Sequence, residues 1–397
     1  MMTRAAGAPR TRIGIVGTGF ISRHFTLAVA SSDEFEVSKV LTRRPLGACQ
    51  DYPRQDLLTA SRDELVEASD IVLECTGDAI WATEVVESAV TAGVPVVTMN
   101  AEFHVTTGSY FVGRGIVTEA EGDQPGCIAS LREQAIAMGF RPVVYGNMKG
   151  FLNRTPTPED MTYWGAKQGI SLPMVTAFTD GTKVQVEQAL VANAFGATII
   201  QPEMLGPQED DLRAAGDLLG QHATRLGQPV SDYVLSGKLP HGVFVVAEHD
   251  PEQQAALAYY KMGDGPYYTL VRNNIFVHFE IMKTLRRVAT GQLRFLDNSA
   301  QPTVSVAAIA KRALEPGDRI EQAIGSFDVR GGAVRILDQP GHIPVGLLAR
   351  AVVRRPVEPG ALLRMDDVEL PESLALDAWR QIEARAFETV AAGTRAS

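Results

Sequence analysis

A chain of 397 residues, 45% apolar and 21% charged, is two to three times a typical ~150-residue domain, enough for a sizeable core and too weakly charged to be disordered. Its 37 basic and 47 acidic residues leave a net charge of −10, which argues against nucleic acid as a partner, because neutralising a phosphate backbone needs a basic surface. No apolar run approaches a membrane span, residues 1–10 lack the apolar stretch of a signal peptide, and Cys49, Cys75 and Cys127 show no metal or redox spacing, so a soluble cytoplasmic protein is expected.

Residues 12–16 read as an apolar strand, followed at once by Gly17-Thr18-Gly19-Phe20-Ile21-Ser22 and by a helical pattern through Phe25, Leu27, Ala28 and Ala30. Strand, glycine turn and helix form the setting in which G-x-G-x-x-G means dinucleotide binding. Gly17 permits the tight turn, and Gly19 lets backbone N–H groups at the helix start, where Phe20 and Ile21 lie, approach a diphosphate. Ser22 replaces the third glycine and is still small enough for close helix–sheet packing. The second strand, residues 36–41, ends in Thr42-Arg43-Arg44. NAD-binding versions place an acid near this point for the ribose 2′-hydroxyl. Arg43 and Arg44 can instead fork onto a 2′-phosphate, so NADP(H) is favoured over NAD(H). The competing reading makes them solvated loop charges.

The alternation continues. Ser61-Arg62-Asp63-Glu64 has capping-box spacing before a short helix. Residues 70–75 read as a strand, 79–92 as a helix, 96–99 and 115–119 as further strands. Continuous apolar strands alternating with helices predict a doubly wound parallel sheet, the α/β Rossmann class. Ligands lie outside the carboxyl ends of such strands, which places Thr76, Gly77, Asn100 and Ala101 on the nicotinamide side. Gly122-Asp123-Gln124-Pro125-Gly126 is another strand-end loop opening a helix. Asp123 is a candidate catalytic carboxylate or, equally, an N-cap ahead of Pro125.

From about residue 143 the texture changes to an α+β pattern. A strand ends in Gly146-Asn147-Met148-Lys149-Gly150, a Pro/Thr-rich loop covers 153–160, and Thr179-Asp180-Gly181-Thr182-Lys183 opens a helix running to Phe195. Free N–H groups plus an ammonium suit an anionic or polyhydroxylated substrate, for which Asn153 and Thr182 are candidate contacts. Lys183 and Glu187 share a helix face. Hydride addition to a carbonyl leaves an alkoxide that Lys149 or Lys183 could stabilise and protonate; the plainer reading is an ordinary surface pair. Asp180 and Glu187, with Asp123, could alternatively hold magnesium or manganese. Residues 208–226 read as an amphipathic packing helix, and 242–248 and 267–272 as strands. A sheet edge carrying Arg272, His278 and Glu280 could face the site, with Arg272 as a fork for phosphate or carboxylate. After residue 303, two basic strands each run into Glu-Pro-Gly, at 315–317 and 358–360, predicting a small β-rich unit closed by a helix over 374–390. Three parts are expected: 1–145, 146–302 and 303–397.

The Gly17-Thr18-Gly19, Glu74-Cys75-Thr76-Gly77, Gly122–Gly126 and Phe178–Lys183 segments together resemble the homoserine-dehydrogenase-like oxidoreductases that carry a SAF domain, in particular the deoxyxylulose-phosphate-reductoisomerase-like (DRL) branch. The two Glu-Pro-Gly turns resemble the SAF module, a β-clip unit shared with the antifreeze-like domain of sialic acid synthases. The resemblance spans about residues 12–370. It implies a dimeric or tetrameric NADP(H) enzyme acting on a small polyol or sugar phosphate. In the DRL branch the implied reaction is a carbon-skeleton rearrangement of deoxyxylulose phosphate followed by hydride delivery. Lys149 and the 180–183 segment match regions expected to face substrate. Gly146-Asn147-Met148-Lys149-Gly150 departs from the Gly-Lys-Gly-type strand end of that branch, so a sibling with another substrate stays open. The remaining alternatives are a redox-neutral nicotinamide enzyme, an epimerase or eliminase, and a non-catalytic NADP-binding sensor.

Overall fold

The computed structural model describes residues 9–292 and 295–396. The first sheet contains β1 (Thr11–Val16), β2 (Phe35–Leu41), β3 (Leu58–Thr59), β4 (Ile71–Glu74), β5 (Val96–Thr98) and β6 (Val117–Glu119). Its order is β3-β2-β1-β4-β5-β6 with every pair parallel, the doubly wound arrangement whose strand order reverses between β1 and β4. Helices α1 (Phe20–Val29), α2 (Arg62–Glu67), α3 (Ala79–Thr91) and α4 (Ala101–Phe111) are the crossovers. Strands buried on both faces explain the unbroken apolar runs. Ser61 caps α2 by accepting from the Glu64 N–H, but the Glu64 carboxylate takes the Thr59 hydroxyl at 2.8 Å, so only half of the expected capping box forms.

Helix α4 has no counterpart in the sequence reading. Ten of its eleven residues are buried, among them His104, Thr106 and Ser109, so no polar stripe advertises it. Helix α5 (Gln124–Ala137) then leads to a second sheet of β7 (Arg141–Lys149), β8 (Val230–Leu235), β9 (Gly242–Glu248) and β10 (Tyr268–Arg272), in the order β10-β9-β7-β8. Between β7 and β8, where only a loop and one long helix were expected before residue 208, stand α6 (Pro158–Gln168), α7 (Leu172–Thr179), α8 (Thr182–Phe195) and α9 (Leu212–Leu226). Side chains of α5 and α8 join one face of this sheet through Tyr145, Val243 and Val245; α9 covers the other through Ala215 and Leu219 against Val144 and Phe244.

Helix α8 is the axis of the molecule. It is buried all round although it carries Gln185, Glu187, Gln188 and Asn193. The amide N–H groups are answered: Gln188 donates to the carbonyls of Tyr145 and Asp232, and Asn193 donates to the Val304 carbonyl while accepting the Thr303 and Val304 N–H groups; the buried Gln188 oxygen has no partner among the described residues. Buried polar groups tolerated in this way must find partners at fixed positions, which locks the second sheet and the C-terminal part onto one helix.

After α10 (Gln254–Tyr259) and α11 (Ile281–Ala289), the C-terminal part contains β11 (Val304–Ala310), β12 (Arg319–Ile320), β13 (Val329–Arg335), β14 (Ala351–Val353) and β15 (Val368–Glu369). The sequence repeat is a structural one. Leu314 and Val357 exchange both backbone hydrogen bonds; the Gly317 N–H donates to Val353 and the Gly360 N–H to Ala310, so the two Glu-Pro-Gly turns face each other about a local pseudo-twofold. Both turn glycines have positive φ, 98° and 83°. Helix α12 (Leu374–Ala396) returns to the first half of the chain, where Trp379, Leu376 and Ile382 share one core with Ala101 and Val105 of α4.

Candidate active site

The turn after β1 is shaped for a dinucleotide. Gly17 has φ +101°, and a Cβ there would crowd Thr76 Cγ2 at 3.2 Å. A Cβ on Gly19 would meet nothing within 4 Å, and α1 starts on Gly19 with neither a side-chain cap nor an acid in its first turn. Its first N–H groups therefore lack a side-chain acceptor beneath open space, which fits a diphosphate. Ser22, in the third glycine position, is fully buried with its hydroxyl 2.7 Å from Tyr52 Oη. Phe20 is more than half exposed beside the turn, and Ile21 packs partly against the core. At the end of β2, Arg43 lies 2.8 Å from Asp78 and 4.4 Å over the Trp81 ring, while Arg44 pairs with Asp51 at 3.6 Å.

Thr76 and Gly77 follow β4 at the carboxyl edge, and Gly77 faces open space. Asn100 and Ala101 do not. Asn100 is fully buried: its oxygen caps α4 at the Phe103 N–H, and its amide turns to Thr76 and Glu74. Ala101 is buried in the core. Topology put both at the right strand end, but the unforeseen α4 starts there and its cap draws the side chain inward. Beneath them, burial pushes the Glu74 carboxyl up to about 7, against the pull of donors on Thr76, Thr98 and Asn100.

Just beyond β5 and β6, four of the anticipated residues converge. Lys183, in the first turn of α8, reaches Glu102 at 3.2 Å and Asp123 at 3.4 Å. Glu187, one turn on and fully buried, accepts from Asn147 at 2.8 Å and from Lys149 at 3.1 Å. The Gln124 amide, oriented to suit its surroundings, bridges Asp123 and Glu187. Burial alone would lower the Lys183 pKa; Asp123, Glu102 and Glu187 more than reverse this and hold it well above an ordinary lysine. Burial raises Glu187 even with Lys149 beside it. Lys183 thus stays protonated, suited to stabilise developing negative charge rather than to act as a base. Behind it, the buried His104 Nδ1 lies 2.7 Å from Glu119; burial drives this imidazole down to about 4 and the carboxyl well up, so the pair is neutral.

Sequence reasoning missed Glu102, Glu119 and His104, all of which depend on α4 or the β6 end. The available signal was Glu102 one residue inside a helix that starts at a strand end. Other expectations are corrected. Asp180 does not face this cluster: it is buried against Lys311 at 2.6 Å and caps the Thr182 N–H at 2.8 Å. Thr182 is likewise buried, accepting the Gly331 N–H at 2.8 Å, so it anchors β13 rather than offering itself to substrate. Asn153 caps its own loop at Thr155 and donates its N–H to Thr179. Arg272 is already committed to Glu121 and Glu280. His278 lies past β10, not on the sheet edge, and stacks on His24 of α1. The grouping of Asp180, Glu187 and Asp123 around a cation fails because each carboxylate is answered by a different lysine. Among the described residues no group of three or more His, Cys, Asp or Glu is arranged to hold a metal ion, and no helix is long and apolar enough to cross a membrane.

Comparison with known proteins follows these two regions. Residues 14–110 match the family model of the homoserine dehydrogenase NAD binding domain, and residues 122–281 that of the oxidoreductase DRL catalytic domain. No curated protein matches the chain. Among solved structures it is similar to UDP-N-acetylglucosamine 3-dehydrogenase from Acidithiobacillus ferrooxidans, at 12% identity over 73% of this chain and 93% of that one, with a TM-score of 0.43. It is also similar to an oxidoreductase from Thermotoga maritima (16% identity, 70% and 94% covered, TM-score 0.36) and to a dehydrogenase from Clostridium difficile (10%, 74% and 95%, 0.39). Likeness this distant says nothing about a substrate. With the first of the two domains on the glycine turn and the second around the Lys183 cluster, the protein is an NAD(P)-dependent oxidoreductase.

Proposed function

We propose that the protein interconverts a carbonyl and an alcohol on a small polyol or sugar phosphate, using NADP(H) in preference to NAD(H). One observation carries this reading: a protonated lysine, Lys183, whose side chain is 14% exposed, held by Glu102 and Asp123 at the carboxyl edge of the dinucleotide sheet. The nicotinamide, when bound, supplies or accepts the hydride. Lys183 hydrogen-bonds the substrate oxygen, stabilises the negative charge that hydride addition develops there and passes it the proton that completes the alcohol, water restoring the ammonium through its 14% exposed side chain. Lys149, 16% exposed beside it, adds a second ammonium for a hydroxyl or phosphate of the substrate. Arg43, 4.4 Å over the Trp81 ring, supports the preference for a 2′-phosphate, since a guanidinium at this strand end can fork onto an anion. The paired Glu-Pro-Gly turns support an SAF-like assignment for the C-terminal part, and a homodimer or tetramer as the working form follows from the same resemblance.

The test is Lys183→Met assayed against a panel of keto-sugar phosphates by the absorbance of the reduced nicotinamide. The expected result is a fall in turnover of about 100-fold or more, with the NADPH Kd within about threefold of wild type. Unchanged turnover removes Lys183 from the reaction.

A further inference from the structure

The dinucleotide sheet brings two opposite charges together beside the glycine turn. Strands β2 and β4 flank β1, two strand spacings or about 10 Å apart. The turn at the end of β1 lies between their ends: the Gly17 N–H donates to the Leu41 carbonyl at 2.9 Å, and on the other side a Cβ on Gly17 would crowd Thr76. Arg43 stands two residues past Leu41 and Asp78 two residues past Thr76, and the two side chains close this gap with an ion pair at 2.8 Å. The neighbouring arginine takes no part in the bridge. Arg44 is spent on its own loop, donating to the Ala48 carbonyl and pairing with Asp51 at 3.6 Å.

Asp78 divides its oxygens between two tasks. Oδ1 accepts the Trp81 N–H at 3.0 Å and so caps α3, while Oδ2 takes Arg43. The cap fixes the position of the carboxylate, and the Trp81 ring, 4.4 Å from the guanidinium, backs the other half of the pair. Both partners are within reach of a ligand: the Arg43 and Asp78 side chains are 58% and 35% exposed, beside a Gly77 whose Cβ position is empty. A carboxylate held here acts on an arriving anion in the opposite sense to the arginine. It occupies the guanidinium beforehand and repels the anion afterwards.

We infer that Asp78 is a specificity-determining residue: its carboxylate is the group that the cofactor's 2′-phosphate must displace from Arg43, and it thereby limits how strongly NADP(H) is preferred over NAD(H). The inference rests on the NADP(H) preference proposed above. It adds a residue from the start of α3, on the far side of β1 from the strand end that carries the arginines. NAD(H) has an uncharged 2′-hydroxyl and enters no such contest, so the carboxylate weighs on one nucleotide only.

The experiment is calorimetric titration of wild type, Asp78→Asn and Asp78→Ser with NADPH, NADH and adenosine 2′,5′-bisphosphate at one ionic strength, alongside melting temperatures. Asn and Ser both cap helices well, so α3 keeps its start and the melting temperatures should stay close to wild type. Each variant should bind NADPH and the bisphosphate about fivefold more tightly, with NADH within about twofold of wild type. Unchanged affinity for NADPH overturns the inference, as does an equal gain for NADPH and NADH. Arg43→Ala, titrated in parallel, separates this failure from that of the reading beneath it. If it weakens NADPH alone while the Asp78 variants bind as wild type does, only the role of Asp78 is lost. If it weakens NADPH and NADH alike, the 2′-phosphate contact itself is refuted and the inference falls with it.

Discussion

Arg43 and Glu74 show how one side chain can be read at the level of its own chemistry. Arg43 is exposed at the end of β2, with its guanidinium against Trp81 and Asp78. A 2′-phosphate would compete with Asp78 for it, so Arg43→Ala should raise the Kd of NADPH by about tenfold while moving that of NADH by less than about twofold. Parallel titrations check this, and equal losses would remove the 2′-phosphate argument. Glu74 is a stability matter. Burial raises its folded pKa to about 7 from an ordinary 4.5, so the folded chain holds a proton that the unfolded chain has released. Its favourable contribution is complete below pH 4.5 and is lost as the pH climbs through 7. Glu74→Gln cannot ionise. It should gain on wild type by up to ~3 kcal/mol at alkaline pH, and the gap should close under acid conditions. Urea midpoints across pH read this directly, and a gap that does not change with pH would show that Glu74 is not the titrating group.

At the scale of elements, the join between α8 and the C-terminal strands depends on a pair that sequence reading assigned elsewhere. Asp180 and Lys311, both nearly inaccessible, meet at 2.6 Å just ahead of α8 and at the end of β11. Burial raises the carboxyl and lowers the ammonium, and their mutual attraction reverses neither shift. Lys311→Met leaves a buried carboxylate unanswered and should cost ~3 kcal/mol; Asp180→Leu with Lys311→Met should cost clearly less than the two single changes added together. A double-mutant cycle in guanidinium measures the coupling, and simple additivity would refute it. The elements that were legible are those whose pattern reports their burial: β1, β4 and α3 lie within a residue or two of their expected bounds, whereas α1 forms where expected but turns Ser22, Phe25, Thr26 and Val29 inward and leaves Leu27 57% exposed. Helix α4 and strand β8 were not legible, because α4 is buried on every side and β8 pairs in parallel with β7 across four helices.

On the whole-molecule scale, α12 closes the chain onto its beginning. Trp379, Leu376 and Ile382 are buried in the core that also holds residues of α4, a contribution on the order of 6 kcal/mol. That is comparable to the net stability of a domain. A chain ending at residue 373 should therefore lose its cooperative thermal transition or melt at a much lower temperature; calorimetry that found an unchanged transition would show α12 to be dispensable.

Local order sufficed for what depends on contiguous residues: a glycine turn between strand and helix, and repeated Glu-Pro-Gly turns. These follow from backbone geometry and charge within a few positions. Tertiary structure alone decided which charges meet. Lys183 and Asp180 are three residues apart, yet one faces Glu102 and Asp123 while the other turns to Lys311. The start of a helix sends neighbouring side chains in different directions, and what each one meets is set by segments up to 131 residues away along the chain (from Asp180 to Lys311), a distance over which no local pattern carries information.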